Sequence, residues 1–319
     1  MLRVERDGSA VTVRINSSSL GLIQACARKS YYLLEQKWQA RSGSAPLIFG
    51  GAIHKALEVF YLQPRRERGE LPSNFEAMAA PMAHGHSAPN DHWLYSAVQA
   101  FVTAAEPLRG LPDTDKRSLA SGIWMLSHYF RTYFNDAYVT YVDDQGPVIE
   151  RTFETVIHDE PTLKIILFGT IDFVLKNEAN GHILPGDHKT SSQMGSEFLN
   201  RIKPNHQYTG YLLGAQRVLG LQTEDFLVNG VQVKSRPLTS RGGPPTFTRQ
   251  ITKRTASDIA EFIETVKWAS KNYIAWQEAG QWPQGSVDSC AMWGGCSFQE
   301  VCAAQPALRQ NILEAKYVR

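Results

Sequence analysis

The sequence predicts an α/β fold in which a mixed central β-sheet is flanked by helices. The first observation is residues 165–192, where two apolar, β-branched stretches are joined by a polar turn that ends in glycine. The second is residues 257–278, whose apolar side chains recur at the spacing of a helix with one buried face. Further strand-like stretches lie before and after the central pair, at 148–157, 226–234 and 246–251. Strands and helices mixed in this way are typical of an α/β fold, and 319 residues could form one large domain or two ordinary ones.

The composition is that of a globular protein with a sizeable core. Of the 319 residues, 43% are hydrophobic and 20% are charged, and the formal net charge is +2. A net charge this small does not by itself indicate nucleic-acid binding, so any basic surface must be local. The sequence has no apolar run of about 18 residues and no basic, apolar leader, which predicts a cytoplasmic protein without membrane contact.

The central pair of strands carries the residues that we expect to do chemistry. Asp172 is a carboxylate within an apolar strand, and a turn centred near Ala179 would place it opposite roughly position 186, within about one residue of Asp187. Because side chains alternate along a strand, Asp187 and Lys189 share one face while His188 points to the other. The pattern therefore predicts two acids and a lysine at one point.

Two carboxylates held this close repel each other unless a cation lies between them. Hard oxygen ligands with room for water suit Mg²⁺ or Mn²⁺, and such an ion stabilises charge on a phosphate. The ammonium of Lys189 could position or deprotonate an attacking water, so this set of groups suits phosphodiester hydrolysis. The alternative is an ordinary salt bridge between Asp and Lys across a hairpin.

The order of these residues resembles a known family. Gly169-Thr170-Ile171-Asp172, a turn, and then Gly186-Asp187-His188-Lys189-Thr190 are similar to the motifs of the PD-(D/E)XK nuclease superfamily, in its RecB-like branch. The resemblance implies a restriction-endonuclease-like core and a single nuclease domain over residues 1–319. It also implies that Asp172 and Asp187 bind the metal, with the carbonyl of His188 as a further ligand, and that Lys189 is catalytic.

Other positions match the same branch. The pattern Gly51-x-x-His54 is similar to its first motif, whose histidine joins the metal site, and Gln207-x-x-x-Tyr211 is similar to the motif that follows the catalytic lysine. The resemblance also favours Glu150 as a residue that could approach the metal. From the residues alone, His54 could be a helix cap, Glu150 a solvent-facing side chain, and Gln207 and Tyr211 ordinary half-buried polar residues.

The four cysteines are placed at the two ends of the chain. Cys26 stands alone, whereas Cys290, Cys296 and Cys302 are separated by five residues each. Four thiolates satisfy either a [4Fe-4S] cluster or a structural zinc, and the wide spacing differs from the short C-x2-C knuckles usual for zinc. One cysteine near the start and three near the end resemble the iron-sulfur staple of AddB-like and CRISPR-associated RecB-like nucleases. Those families commonly space the last three by two and then five residues, which leaves the cluster type open.

The resemblance covers nearly the whole chain except about residues 63–116, which are rich in Pro, Gly, Ala and His. We expect residues 63–138 to be a helical insertion. It implies a DNA exonuclease that uses Mg²⁺ or Mn²⁺ and acts at free or single-stranded ends in recombination or end processing. Such an enzyme would work in bacterial cytoplasm, encoded by the bacterium or a phage, with a helicase or recombination protein as partner. The alternatives are a non-catalytic iron-sulfur subunit that binds DNA and a structure-selective endonuclease.

Overall fold

The computed structural model describes residues 2–41, 43–237, 243–291 and 295–319. The chain divides into two compact units. The first unit contains residues 1–43, 153–169 and 255–319, and the second contains residues 44–152 and 170–254. Among the described residues, no helix combines the length and the apolar character that crossing a bilayer requires.

The second unit is built on a mixed β-sheet. Its strands are β3 (Tyr138–Thr140), the second half of β5 (Leu163–Asn177), β6 (Ile183–Ser191), β7 (Asp225–Gln232) and β8 (Phe247–Lys253). The β3–β5, β5–β6 and β7–β8 pairs are antiparallel, whereas β6 and β7 are parallel. Helices in this unit complete the α/β architecture, so the predicted fold class is confirmed. They are α3 (Ala45–Leu62), α4 (Phe75–Ala79), α5 (Trp93–Ala104), α6 (Leu119–Tyr133), α7 (Ser196–Asn200) and α8 (His206–Val218).

The register of the β5–β6 hairpin is one residue away from the predicted register. Phe173 pairs with Gly186, so the next position along places Asp172 opposite Asp187 itself. The turn lies where the polar residues predict it, and Asn177 accepts a hydrogen bond from the Ala179 N–H within it. Because the turn fixes the register, the two acids come from facing positions on neighbouring strands.

Helix α3 starts earlier than the sequence predicts. We expected Gly50 and Gly51 to end the preceding segment and a helix to begin at Ala52, but α3 runs through both glycines from Ala45. A Cβ atom on Gly50 would lie 3.0 Å from the Thr190 Oγ1 on β6. The glycine therefore permits close packing of helix against strand rather than a break, and this packing brings the middle of α3 over the sheet.

Residues 63–138 contain helices, as expected of this segment. The predicted helix over 93–104 matches α5, and the helix predicted over 117–138 is shorter at both ends and forms α6. Their apolar faces join one buried core with α3 and the sheet. Aromatic rings dominate this core, and the Phe60 and Phe130 rings stack with centroids 5.1 Å apart.

The first unit contains β1 (Arg3–Asp7) and β2 (Ala10–Ile15), an antiparallel pair in which β2 also lies parallel to the first half of β5. A strand β4 (Ile149–Glu160) begins in the second unit and continues into the first. The helices of the first unit lie near the two chain ends. They are α1 (Ser17–Ala25), α2 (Ala27–Ser30), α9 (Ala256–Ala279), α10 (Val287–Ala291), α11 (Gln299–Ala303) and α12 (Arg309–Lys316).

The helix caps near Cys26 differ from those predicted. Asn16, rather than the serines after it, caps α1 by accepting a hydrogen bond from the Ser19 N–H. Cys26 was expected to lie on this helix, but it ends α1 and caps α2, with its sulfur accepting from the Lys29 N–H. The backbone at Cys26 is extended, so this residue separates α1 from α2.

Candidate metal centre and active site

Three side chains that could hold a metal ion converge in the second unit. Ligand atoms of His54 on α3, Glu150 on β4 and Asp172 on β5 all lie within 4.8 Å of one another. His54 Nδ1 is 3.2 Å from Asp172 Oδ2, and Asp172 is 8% exposed. One nitrogen and two carboxylates form a ligand set for a divalent ion such as Mg²⁺ or Mn²⁺.

The electrostatics of these groups favour a bound cation. Burial, reinforced by the nearby Asp187, raises the pKa of Asp172 well above its usual value, and a hydrogen bond from the His188 N–H opposes this. Burial also raises the pKa of Glu150. The pKa of His54 is lowered, mainly by burial, so the imidazole is neutral at pH 7. A neutral histidine is ready to be a ligand, and a positive ion would relieve the repulsion between the carboxylates.

Glu150 has an unusual backbone conformation. Its φ is +47°, in the left-handed region that residues with a Cβ rarely adopt. Such strain costs on the order of 1–2 kcal/mol and is found most often at functional sites. Glu150 lies beside His54 and Asp172, which differs from the solvent-facing position that was the alternative.

Asp187 and Lys189 form a pair next to this group. Lys189 Nζ lies 2.5 Å from Asp187 Oδ2, and the Asp187 side chain is 2% exposed. The ammonium contacts Oδ2 without the geometry of a hydrogen bond, and this buried oxygen has no hydrogen-bond partner among the described residues. Asp187 is not one of the three residues whose ligand atoms lie within 4.8 Å of one another. A carboxylate oxygen has two lone pairs, so Oδ2 could still accept a cation beside the ammonium.

Helix α8 contributes two polar side chains on one face. Gln207 Nε2 donates to Asp187 Oδ1 at 3.3 Å and to the Tyr211 hydroxyl at 3.0 Å. Asn205 caps the helix and so fixes its first turn, where Gln207 lies. Their four-residue spacing predicts the shared face, and the structure brings Gln207 to Asp187 and Tyr211 to Gln207. Tyr208, which the sequence did not single out, places its ring 5.9 Å from Lys189 Nζ.

His188 projects away from the two acids, as strand alternation predicts. Its ring is buried between aromatic side chains, with the Phe173 ring centroid at 4.6 Å and the Tyr61 centroid at 5.5 Å. Its backbone faces the site, because its N–H donates to Asp172 Oδ2 at 2.8 Å. Asn229 on β7, which we did not predict, lies 2.7 Å from the His188 ring. A polar residue within the apolar run of β7 was the available signal.

The cysteines belong to the first unit. Cys26 Sγ accepts hydrogen bonds from the Gly285 N–H at 3.2 Å and the Lys29 N–H at 3.5 Å. Burial raises the pKa of Cys302, Arg28 opposes the rise, and Cys296 and Cys26 add smaller contributions to it. All four cysteines are free thiols. Residues 292–294 of the predicted 290–302 cysteine segment lie outside the described residues.

An apolar cluster lies beside two of these cysteines. Cys296 and Cys302 pack against buried side chains of the first unit. Within this cluster the Phe298 ring stacks on Tyr317 at 4.9 Å. The cluster consists of Tyr32, Trp38, Phe298, Val301, Leu313 and Tyr317.

Comparison with known proteins identifies the family of this chain. A crystal structure of a "Putative exonuclease" from Eubacterium rectale is similar at a TM-score of 0.45 and 11% identity, over 92% of this chain and 94% of that one. A likeness of that size carries no weight for function, and no curated protein matches the sequence. The sequence model of the PD-(D/E)XK nuclease superfamily matches residues 14–303. The chain therefore belongs to the PD-(D/E)XK nuclease superfamily.

Proposed function

We propose that this nuclease-superfamily member is a metal-dependent DNA exonuclease that hydrolyses phosphodiester bonds at free or single-stranded ends. The convergence of His54, Glu150 and Asp172 carries the proposal, because a nitrogen and two carboxylates within 4.8 Å form a ligand set for a divalent ion. The adjacent Asp187–Lys189 pair supplies an acid and an ammonium beside that set. Together they provide the groups that phosphodiester hydrolysis requires.

His54, Glu150 and Asp172 would hold Mg²⁺ or Mn²⁺. Asp187 Oδ2, which the Lys189 ammonium also contacts, would complete the set. The carbonyl of His188 stays a predicted further ligand. When bound, the ion supplies Lewis-acid stabilisation of negative charge on the phosphate.

Lys189 has the position to act on water or phosphate. Its side chain is 29% exposed while its ammonium contacts Asp187, so part of it is open to solvent at the acid pair. In hydrolysis the water oxygen bonds to phosphorus, the bridging P–O bond breaks, and a proton passes to the leaving alcohol. Lys189 would orient the water and offset the charge that develops on phosphate. Gln207 would hold Asp187 in place, and Tyr211 holds Gln207.

Degradation of end-labelled linear DNA in Mg²⁺ or Mn²⁺ tests the proposal. We expect cleavage that EDTA stops and that Asp172→Asn abolishes, with folding checked by circular dichroism. A covalently closed circle should survive, because an exonuclease needs an end. Cutting of the circle would indicate the structure-selective endonuclease instead. DNA binding without any cleavage under these conditions would indicate the non-catalytic binding subunit.

We also propose a [4Fe-4S] cluster held by Cys26, Cys290, Cys296 and Cys302. Two backbone N–H groups already donate to Cys26 Sγ, and such donors stabilise thiolate sulfur in iron-sulfur sites. A Cβ atom on Gly285 would lie 2.6 Å from the Ala25 carbonyl oxygen, so only glycine lets this N–H approach the sulfur. The apolar cluster beside Cys296 and Cys302 would shield a cluster from water.

Iron, sulfide and zinc analysis of anaerobically purified protein tests this assignment. We expect about four iron and four sulfide per chain together with brown absorbance in the visible range. One zinc and no iron would show a structural zinc site instead.

The cellular setting follows from the same family resemblance: bacterial or phage recombination or end processing in the cytoplasm, with a helicase or recombination protein as the partner.

A further inference from the structure

A row of polar side chains crosses the sheet of the second unit behind the acid pair. His188 on β6 is in register with Asn229 on β7, and Asn229 is in register with Arg249 on β8. Side chains from the helical layer and from the loop after α6 join these three. We call this set the polar row; its members are His188, Asn229, Tyr129, Tyr61, Arg249 and Asp136.

Hydrogen bonds connect the members of the polar row. Asn229 Nδ2 lies 2.7 Å from His188 Nδ1 and donates to the Tyr129 hydroxyl at 2.8 Å. The Tyr129 and Tyr61 hydroxyls are 2.6 Å apart. Arg249 donates to the Tyr61 hydroxyl at 2.9 Å. One continuous chain of contacts therefore runs from the His188 ring to Arg249.

The far end of the row is fixed by an ion pair. Arg249 binds Asp136, which follows α6, and its guanidinium lies 4.0 Å from the Tyr133 ring centroid. This ion pair is largely buried, with side chains that are 13% and 15% exposed. A buried pair of this kind resists displacement, because removing one partner leaves an uncompensated charge.

The near end of the row meets the candidate metal site through one residue. The His188 ring is held by Asn229 and packed by Tyr61, while the His188 N–H donates to Asp172 Oδ2 at 2.8 Å. The same ring also packs edge to face against the His54 ring, with centroids 5.5 Å apart. Through its N–H and its ring, His188 therefore connects the row to Asp172 and His54 of the proposed metal site.

Stability alone is a poor explanation of the row. Asn229 and Tyr129 are fully buried, and Asn229 Oδ1 and Arg249 Nε have no hydrogen-bond partner among the described residues. A buried polar network that is incompletely satisfied stabilises a fold less than apolar packing would. Polar groups retained at such a cost are expected where they serve a site.

We infer that Asn229 and Tyr129 are positioning residues that fix the His188 peptide and, through it, the Asp172 carboxylate for metal binding. This inference rests on the proposed function. It also gives residues 63–138 a role, because Tyr129 and Asp136 come from that segment. Groups that orient metal ligands in this way commonly change metal affinity or activity by about 10- to 100-fold when removed.

Mn²⁺ binding without DNA, followed by electron paramagnetic resonance of the free ion, tests the inference. Tyr129→Phe removes one hydroxyl and keeps the ring, and Asn229→Leu removes the amide at similar volume. We expect each to weaken Mn²⁺ binding by about 10-fold or more and to lower kcat while KM for DNA stays constant. Tyr133→Phe is the matched control, because it removes a hydroxyl one turn along α6 and should leave both quantities unchanged.

The outcomes separate this inference from the proposed function. Folded Tyr129→Phe and Asn229→Leu proteins that bind Mn²⁺ as tightly as the unsubstituted chain would overturn the positioning role, even if their melting temperatures fall. Asp172→Asn serves as the reference for the site. If Asp172→Asn loses Mn²⁺ binding and cleavage, the proposed function stands whatever the row variants show; if it retains both, the proposed function fails first.

Discussion

His54 Nδ1 lies 3.2 Å from Asp172 Oδ2. Burial lowers the pKa of His54 and raises the pKa of Asp172, so it favours the neutral form of each group. A bound cation would favour the ionised carboxylate of Asp172, and the neutral imidazole of His54 is the form that binds a metal. The relationship between these two residues therefore has consequences for stability, pH dependence and metal binding.

The raised pKa of Asp172 predicts how metal-free stability depends on pH. Between the usual carboxyl pKa and the raised value, the folded chain binds more protons than the unfolded chain, so this group makes stability fall as pH rises. Asp172→Asn removes this contribution. In EDTA we expect its free energy of unfolding to exceed that of the unsubstituted chain by a margin that grows above about pH 4. A margin that is constant with pH in urea denaturation would contradict the shift.

The half-buried position of Lys189 beside Asp187 predicts a catalytic rather than a structural role. Lys189→Ala should lower the rate of DNA degradation by about 10²- to 10⁴-fold, the usual contribution of a positioned proton-handling group. DNA binding, measured by fluorescence anisotropy, should change little. Lys203→Ala, a lysine that bonds the Lys253 carbonyl away from the acid pair, is the matched control. Full activity in Lys189→Ala would remove the role that we assign to it.

The strained backbone of Glu150 predicts opposite effects on stability and metal affinity. Glu150→Gly relieves the +47° φ, whereas Glu150→Ala keeps that strain while removing the same carboxylate. The glycine variant should be more stable than the alanine variant by about 1 kcal/mol in chemical denaturation. Both should bind Mn²⁺ more weakly. Equal stabilities would show that the backbone stores no strain, and unchanged Mn²⁺ binding would exclude Glu150 as a ligand.

Loss of one cysteine should affect folding before chemistry. If a cluster joins Cys26 to the last three cysteines, Cys296→Ala removes a cross-link that closes most of the chain. We expect a loss of stability on the order of 2–5 kcal/mol, similar to the loss of a covalent cross-link. Gln299→Ala, an exposed neighbour, is the control for local packing. A stable, active Cys296→Ala protein would count against the cross-link.

Local patterns could predict the central hairpin. Polar residues between apolar strands located the turn, and the turn fixed the register to within one residue of the pairing of Phe173 with Gly186. Strand alternation correctly separated His188 from Lys189. An acid within an apolar strand identified Asp172 as a site residue. The turn, the register and the alternation of side chains depend on residues that are close in the sequence, so local patterns can predict them.

Features that depend on contacts between distant segments could not be predicted. A glycine such as Gly50 is typical of a helix break, but in the structure its missing Cβ lets Thr190 lie close to the helix. This contact depends on how the helix packs on the strand, which local sequence does not show. Asn229 and Tyr129 are separated by about 100 residues, and nothing local pairs them. The residues next to Glu150 in the sequence do not place it beside His54. Only the family resemblance favoured Glu150 as a residue that could approach the metal.

Anomalous X-ray diffraction from crystals soaked in Mn²⁺ measures the central claim most directly. We expect one strong manganese peak among His54, Glu150 and Asp172, within reach of Asp187 Oδ2, and its loss in Asp172→Asn crystals. An empty site at saturating Mn²⁺, or manganese bound only elsewhere on the chain, would contradict it.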